Sequence, residues 1–152
     1  MTTDALQDQW WPTMTCFGCG PANKAGLQLK SFAQPDGTVT ATFLPWPEHD
    51  NGGGYLNGGV IATLLDCHSA AAVHHTAYAA GWRPAPGQDL AYVTAGIDVR
   101  YRRPAPLGEA VTLVAETLEA DEAQITAAVR LEWEGKVRAE AEALWKRWRP
   151  RA

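Results

Sequence analysis

A chain of 152 residues, 46% hydrophobic and 20% charged, is long enough for one domain with its own core and too short for two of ordinary size. Its formal net charge of −4 gives no electrostatic basis for nucleic-acid binding, and no stretch approaches the roughly 18 apolar residues of a membrane span. Three cysteines are an odd count, which predicts free thiols in a reducing compartment and no disulfide framework.

In chain order, residues 1–9 contain Asp4 and Asp8 and lack the basic residues and apolar run of a signal peptide, so a soluble cytoplasmic protein is expected. Residues 1–15 read as an N-terminal arm that docks by Trp10 and Trp11, and residues 16–152 as a single domain. Leu27 and Leu29 alternate with polar neighbours, Pro35-Asp36-Gly37 marks a turn, and Val39, Ala41 and Phe43 alternate with threonines, which predicts a β-hairpin. After a loop rich in Pro and Gly, the proline-free stretch from Leu56 to about Ala80 predicts one long helix. On a helical wheel Val60, Ile61, Leu64 and Leu65 form the bulky apolar side. Asp66 falls elsewhere, among Gly59, Ala62, Ser69, Ala70 and Val73, a face either open to solvent or closely approached by another element.

Downstream, Ala91, Val93, Ala95, Ile97, Val99 and Tyr101 alternate with a polar set that includes Tyr92 and Thr94, predicting a long half-buried strand ended by Pro104. Two further alternating runs follow, Val111 to Ala115 and Ile125 to Trp133, and Glu134-Gly135 makes a tight turn into Val137 to Trp145. The Ala-Glu repeats of that last run favour a helix by propensity, but their two-residue period predicts a strand that completes a meander. The expected class is α+β, a curled antiparallel sheet wrapped around one long central helix.

The most informative stretch is the glycine-rich entry to that helix, Asp50 to Gly59, followed two turns later by Asp66. The first amides of a helix have no partner within it, and the helix dipole adds positive character there, so a developing oxyanion is stabilised at such a spot. An anion-binding amide and a nearby carboxylate are two halves of a hydrolytic site for activated acyl groups.

The order and spacing of several motifs resemble the hotdog-fold acyl-CoA thioesterases, in the branch of the 4-hydroxybenzoyl-CoA and phenylacetate-degradation thioesterases. The motifs are Cys16-Phe17-Gly18-Cys19-Gly20 with Asn23 and Gly26-Leu27; Asn57-Gly58-Gly59 with Leu65-Asp66; and Val93 to Tyr101 running into Arg102-Arg103-Pro104-Ala105 and Gly108-Glu109. The resemblance spans about residues 16–148. It implies that Asp66 is the catalytic carboxylate, general base or nucleophile, and that the Gly58 N–H polarises the thioester carbonyl. It further implies that Asn51 orients the attacking water and that Thr94 comes to the site from the neighbouring subunit. The site would then lie between protomers of a dimer or dimer of dimers, with no metal or other cofactor and coenzyme A entering as part of the substrate. Where many relatives read His-Gly-Gly this chain has Asn57, whose amide can orient a thioester but cannot exchange a proton as imidazole does. That departure keeps open a non-catalytic acyl-CoA-binding protein, or a purely structural one, on the same scaffold.

Other residues have plainer readings beside functional ones. Cys16 and Cys19 form a CxxC, but zinc normally takes four ligands and no second pair is present, so a tight turn is the preferred account. Cys67 is expected as a packed thiol, His68 as a core histidine, and His74 and His75 as helix-end residues. His49 and Gly59 are candidates for substrate contact, as are Trp46 and Trp82 for an acyl pocket. Arg100, Arg102 and Arg103 either end a strand in solvent or bind coenzyme A phosphates, with Arg102 and Arg103 the candidates.

Overall fold

The computed structural model describes residues 4–151. A short helix α1 (Leu6–Trp10) precedes strands β1 (Ser31–Ala33) and β2 (Val39–Phe43), the long helix α2 (Gly58–Ala79), and strands β3 (Tyr92–Tyr101), β4 (Val111–Ala120), β5 (Gln124–Trp133) and β6 (Lys136–Arg147). The six strands form one antiparallel sheet in the order β1-β2-β4-β5-β6-β3. The single long helix and the meander β4-β5-β6 stand as predicted, but the first arm of the hairpin is Ser31–Ala33, beyond Leu27 and Leu29, and β3 joins the sheet on β6. The segment with conflicting signals is a strand, entered through Glu134 and Gly135, both at positive φ. Here the two-residue period overrides helix propensity, because every second residue from Ala139 to Trp145 is buried.

The sheet wraps α2, which packs on β3, β4, β5 and β6. Ile61, Leu64 and Leu65 are buried on the predicted side, but so are Ser69, Ala70 and Val73 on the small-residue side. That side is the closely approached one: Trp145 Nε1 donates to Ser69 Oγ at 3.0 Å, which only short helix side chains allow. His68 is a core histidine as expected, its Nδ1 2.9 Å from Ser31 Oγ and its Nε2 2.8 Å from the Val39 carbonyl. His74 is not a helix-end residue. The helix runs on to Ala79, and the His74 ring is fully buried, with Nδ1 2.7 Å from the Ala70 carbonyl and Nε2 accepting the Tyr92 N–H at 3.2 Å. His75 instead stacks on Trp10.

The arm belongs to the core. Leu6, Trp11 and Met14 join its main apolar cluster, and Trp11 Nε1 donates to the Asp89 carbonyl at 2.9 Å, tying the arm to the loop before β3.

Strand β3 departs from the predicted phase. Thr94 pairs with Trp145 and Gly96 with Leu144, so Ala95 is an extra residue in a β-bulge. Ile97 and Val99 face the core side as predicted, but before the bulge the parity reverses: Tyr92 is buried and Thr94 turns toward α2.

Candidate active site

The loop before α2 is closed by its own polar side chains. Asp50 Oδ1 accepts the N–H groups of Gly52 and Gly54, and Asn51 Oδ1 accepts those of Gly53 at 2.7 Å and Tyr55 at 3.3 Å. Gly52 and Gly54 adopt positive φ, which this tight path requires. His49 ends the short 3-10 turn that leads into this loop. Its ring packs between Phe43 and Trp46, its Nδ1 accepts the Trp46 N–H at 3.0 Å, and its carbonyl accepts the Asn57 N–H at 2.7 Å. It fixes the loop onto the helix start rather than reaching toward a substrate.

Asn57 is the N-cap of α2. Its Oδ1 accepts the N–H groups of Gly59 at 2.8 Å and Val60 at 3.1 Å, and its carbonyl accepts that of Ile61. The side chain expected to orient a thioester is thus engaged in capping, as is the Gly59 amide. The cap leaves the Gly58 N–H without a partner among the described residues, at the positive end of the helix dipole. Tyr101 holds this residue from the other side, its hydroxyl donating to the Gly58 carbonyl at 2.7 Å. Gly58 lines a cleft of about 340 Å³ with Asn51, Tyr101, Arg102 and Arg103. Arg102 is held by Glu140, with Nη2 2.7 Å and Nε 3.1 Å from one carboxylate oxygen. Arg103 makes no ion pair among the described residues. Arg100 pairs with Asp98 away from this cleft.

Asp66 stands in a second cleft, of about 330 Å³, lined chiefly by Trp11, Met14, Leu90, Val93, Trp145 and the three cysteines. Thr94 Oγ1 donates to Asp66 Oδ1 at 2.7 Å. Within one chain, the bulge at Ala95 turns Thr94 inward to the Asp66 carboxylate. Burial among apolar walls raises the Asp66 pKa above the usual carboxylate value, the Thr94 donor partly opposes this, and negative charge on Cys16 adds to it. Such a carboxylate is better suited to accept a proton than a solvated one.

Cys67 is buried, as expected, yet not apart from the CxxC. Its sulfur lies 3.7 Å from that of Cys16, and all three sulfurs lie within 4.8 Å of one another. Hydrogen bonds from Cys19 and Cys67 hold the Cys16 thiol well below its ordinary pKa, while the same bonds push Cys19 up to about 12 and Cys67 well above the usual range. Cys16 is the least buried of the three.

Neither Trp46 nor Trp82 lines the Asp66 cleft; Trp11 and Trp145 do. Trp145 is signalled by its place on the apolar register of β6, whereas nothing in the sequence places Trp11 or Tyr101 at a cleft. Along α2, Gly58 and Asp66 are eight residues apart, about 12 Å of axial rise, so the two clefts of one chain present their groups separately.

The family model of the thioesterase superfamily matches residues 53–140. The chain belongs to the thioesterase superfamily. Among solved structures, one thioesterase superfamily protein is 28% identical over 83% of this chain with a TM-score of 0.69, and this chain spans 60% of that one. A thioesterase superfamily protein from Shewanella loihica is 26% identical over 85% of this chain and 98% of its own, with a TM-score of 0.64. The E. coli PaaI protein, from the phenylacetic acid degradation operon, is 19% identical over 80% of this chain and 84% of its own, with a TM-score of 0.64, and shares the fold. The comparison with curated proteins returns no match. With this membership and these neighbours, the wrapped sheet of this thioesterase superfamily member is the hotdog fold anticipated from its sequence.

Proposed function

We propose that this thioesterase superfamily member hydrolyses acyl-CoA thioesters in a homo-oligomeric site, with Asp66 as the reacting carboxylate and a Gly58 N–H as the oxyanion donor. The observation that carries the reading is Asp66 itself, a desolvated carboxylate held by Thr94 at the mouth of an apolar cleft. The acyl chain lies along Trp11, Met14 and Trp145, which presents its carbonyl carbon to Asp66. Because Asp66 and Gly58 of one chain stand about 12 Å apart along the helix, the oxyanion donor at this carbon is Gly58 of the partner subunit. Asp66 takes a proton from water as the oxygen attacks the carbonyl carbon. The oxyanion forms against the N–H, and its collapse expels the thiolate of coenzyme A. In the variant of this step where Asp66 attacks directly, water then cleaves the mixed anhydride. A thioester has a good leaving group, so one carboxylate with one donor suffices without a nucleophilic triad. Arg103, which lines the Gly58 cleft and makes no ion pair among the described residues, would meet a phosphate of coenzyme A.

Asp66→Asn tests this with a panel of short, long and aromatic acyl-CoAs, following free thiol. The expected outcome is a fall in kcat of roughly 10²–10⁴ with the oligomer intact. Wild-type rates in that variant would remove Asp66 from the chemistry. The capping role of Asn57 supports one second reading, a non-catalytic acyl-CoA-binding protein. It would be selected by calorimetric binding of acyl-CoA to the unmodified protein without thiol release.

A further inference from the structure

The three-sulfur cluster beneath the Asp66 cleft is not used by the thioester chemistry. We propose that Cys16, Cys19 and Cys67 form a three-thiolate site for a thiophilic d¹⁰ metal ion, Zn²⁺ foremost, with a fourth position open to the cleft.

The geometry fits. Four sulfur-type ligands around zinc at about 2.3 Å stand about 3.8 Å from one another. The sulfurs of Cys16 and Cys67 are already 3.7 Å apart, and all three lie within 4.8 Å. Small side-chain rotations are enough to centre an ion. Three protein ligands and one open position are also the arrangement of zinc sites that accept an exogenous ligand.

The backbone is shaped for it. The turn Cys16-Phe17-Gly18-Cys19-Gly20 closes by the Gly20 N–H donating to the Cys16 carbonyl at 2.8 Å. A Cβ on Gly18 would collide with the Cys67 sulfur, and one on Gly20 with the backbone of Met14 and Cys16, so both glycines let the turn lie directly on α2. The helix thereby supplies the ligand missing from the CxxC. No Lys, Arg or His lines this cleft, although three thiols and the Asp66 carboxylate do, so a bound cation would complete the local charge. Soft sulfur ligands select zinc or Cu(I) over harder ions.

The inference is independent of the thioester reading, because metal binding is measured without substrate. Reduced, metal-free protein is titrated with Zn²⁺ against a chromophoric chelator, and separately with Co²⁺ followed by absorption. We expect one ion per chain, intense tetrahedral cobalt bands, and thiolate-to-cobalt charge transfer of the strength of three Co–S bonds. Cys67→Ser, Cys16→Ser and Cys19→Ser should each lose one-to-one binding at equimolar metal, with unchanged far-ultraviolet circular dichroism. The cobalt spectrum of the unmodified protein stands even where a variant does not fold. Less than about a tenth of an ion per chain, octahedral cobalt bands without charge transfer, or zinc binding unaffected in folded cysteine variants would each overturn the site.

Discussion

Asn57 shows how a residue can occupy a motif position while doing different work. Its Oδ1 is shared between the amides of Gly59 and Val60, so its first effect is on the helix start. Asn57→Ala should cost about 1 kcal/mol, and Asn57→Ser, which keeps a capping oxygen, only a fraction of that. Thermal melts of both check this. Equal destabilisation by the two would mean that the amide serves something other than the cap. Asp66 has the opposite relation to stability. Its pKa is raised in the folded chain, so its contribution is present below the unfolded carboxylate value and lost as pH rises through the folded one. At neutral pH the ionised group therefore works against folding, and Asp66→Asn should raise the melting temperature. A lower melting temperature would show that the carboxylate is stabilised where it stands.

At the scale of elements, α2 carries two buried histidines that pH addresses together. Burial pushes His68 and His74 down to about 4 from an ordinary 6.5. The unfolded chain binds protons more readily in that window, so their contribution is full above 6.5 and is lost as pH falls toward 4. Melting temperature should fall steadily across this range, and His68→Gln, which can still bond Ser31 and Val39, should flatten the slope; an unchanged slope would put the acid sensitivity elsewhere. The strands and this helix were legible because their periodicity is local. Even the Ala-Glu run of β6 yielded to its period. The phase of β3 was not, since the extra residue at Ala95 is imposed by pairing with Trp145 and Leu144, which no local pattern announces. The same bulge is why the alternation puts Thr94 on the polar side of its strand whereas it turns toward Asp66. His74 reads as a helix-end residue for a related cause, since its ring is fixed by Tyr92, eighteen residues on, whereas the candidates Gly58 and Asp66 were legible from the glycine-rich helix entry and the carboxylate two turns later. Trp11 and Met14 reach the Asp66 cleft by the docking of an arm that has no periodicity at all.

For the whole molecule, the two edges of the sheet differ. β1 is three residues long, whereas β3 offers ten along an edge with no neighbour among the described residues. A long open edge is a template for pairing with another chain, and the proposed site needs that second chain. A Cβ at Gly96 meets nothing within 4 Å in one protomer, so Gly96→Glu should leave the folded chain intact while setting two carboxylates against each other where β3 strands meet. The mass from light scattering should drop toward the 16.5 kDa of one chain, with thiol release lost alongside. Retention of the oligomer by Gly96→Glu would move the interface away from this edge.

The stretch shared with the family, residues 53–140, contains Gly58, Asp66 and Thr94, but Trp11, Met14, Cys16 and Cys19 precede it and Trp145 follows it. On the proposed reading, the wall that an acyl tail would meet is assembled from both regions, with Leu90 and Val93 inside the shared stretch and Trp11, Met14 and Trp145 outside it. Under that proposal, exchanging the segment that carries Trp11 and Met14 between kindred proteins would reshape one wall of the cleft without touching Gly58, Asp66 or Thr94.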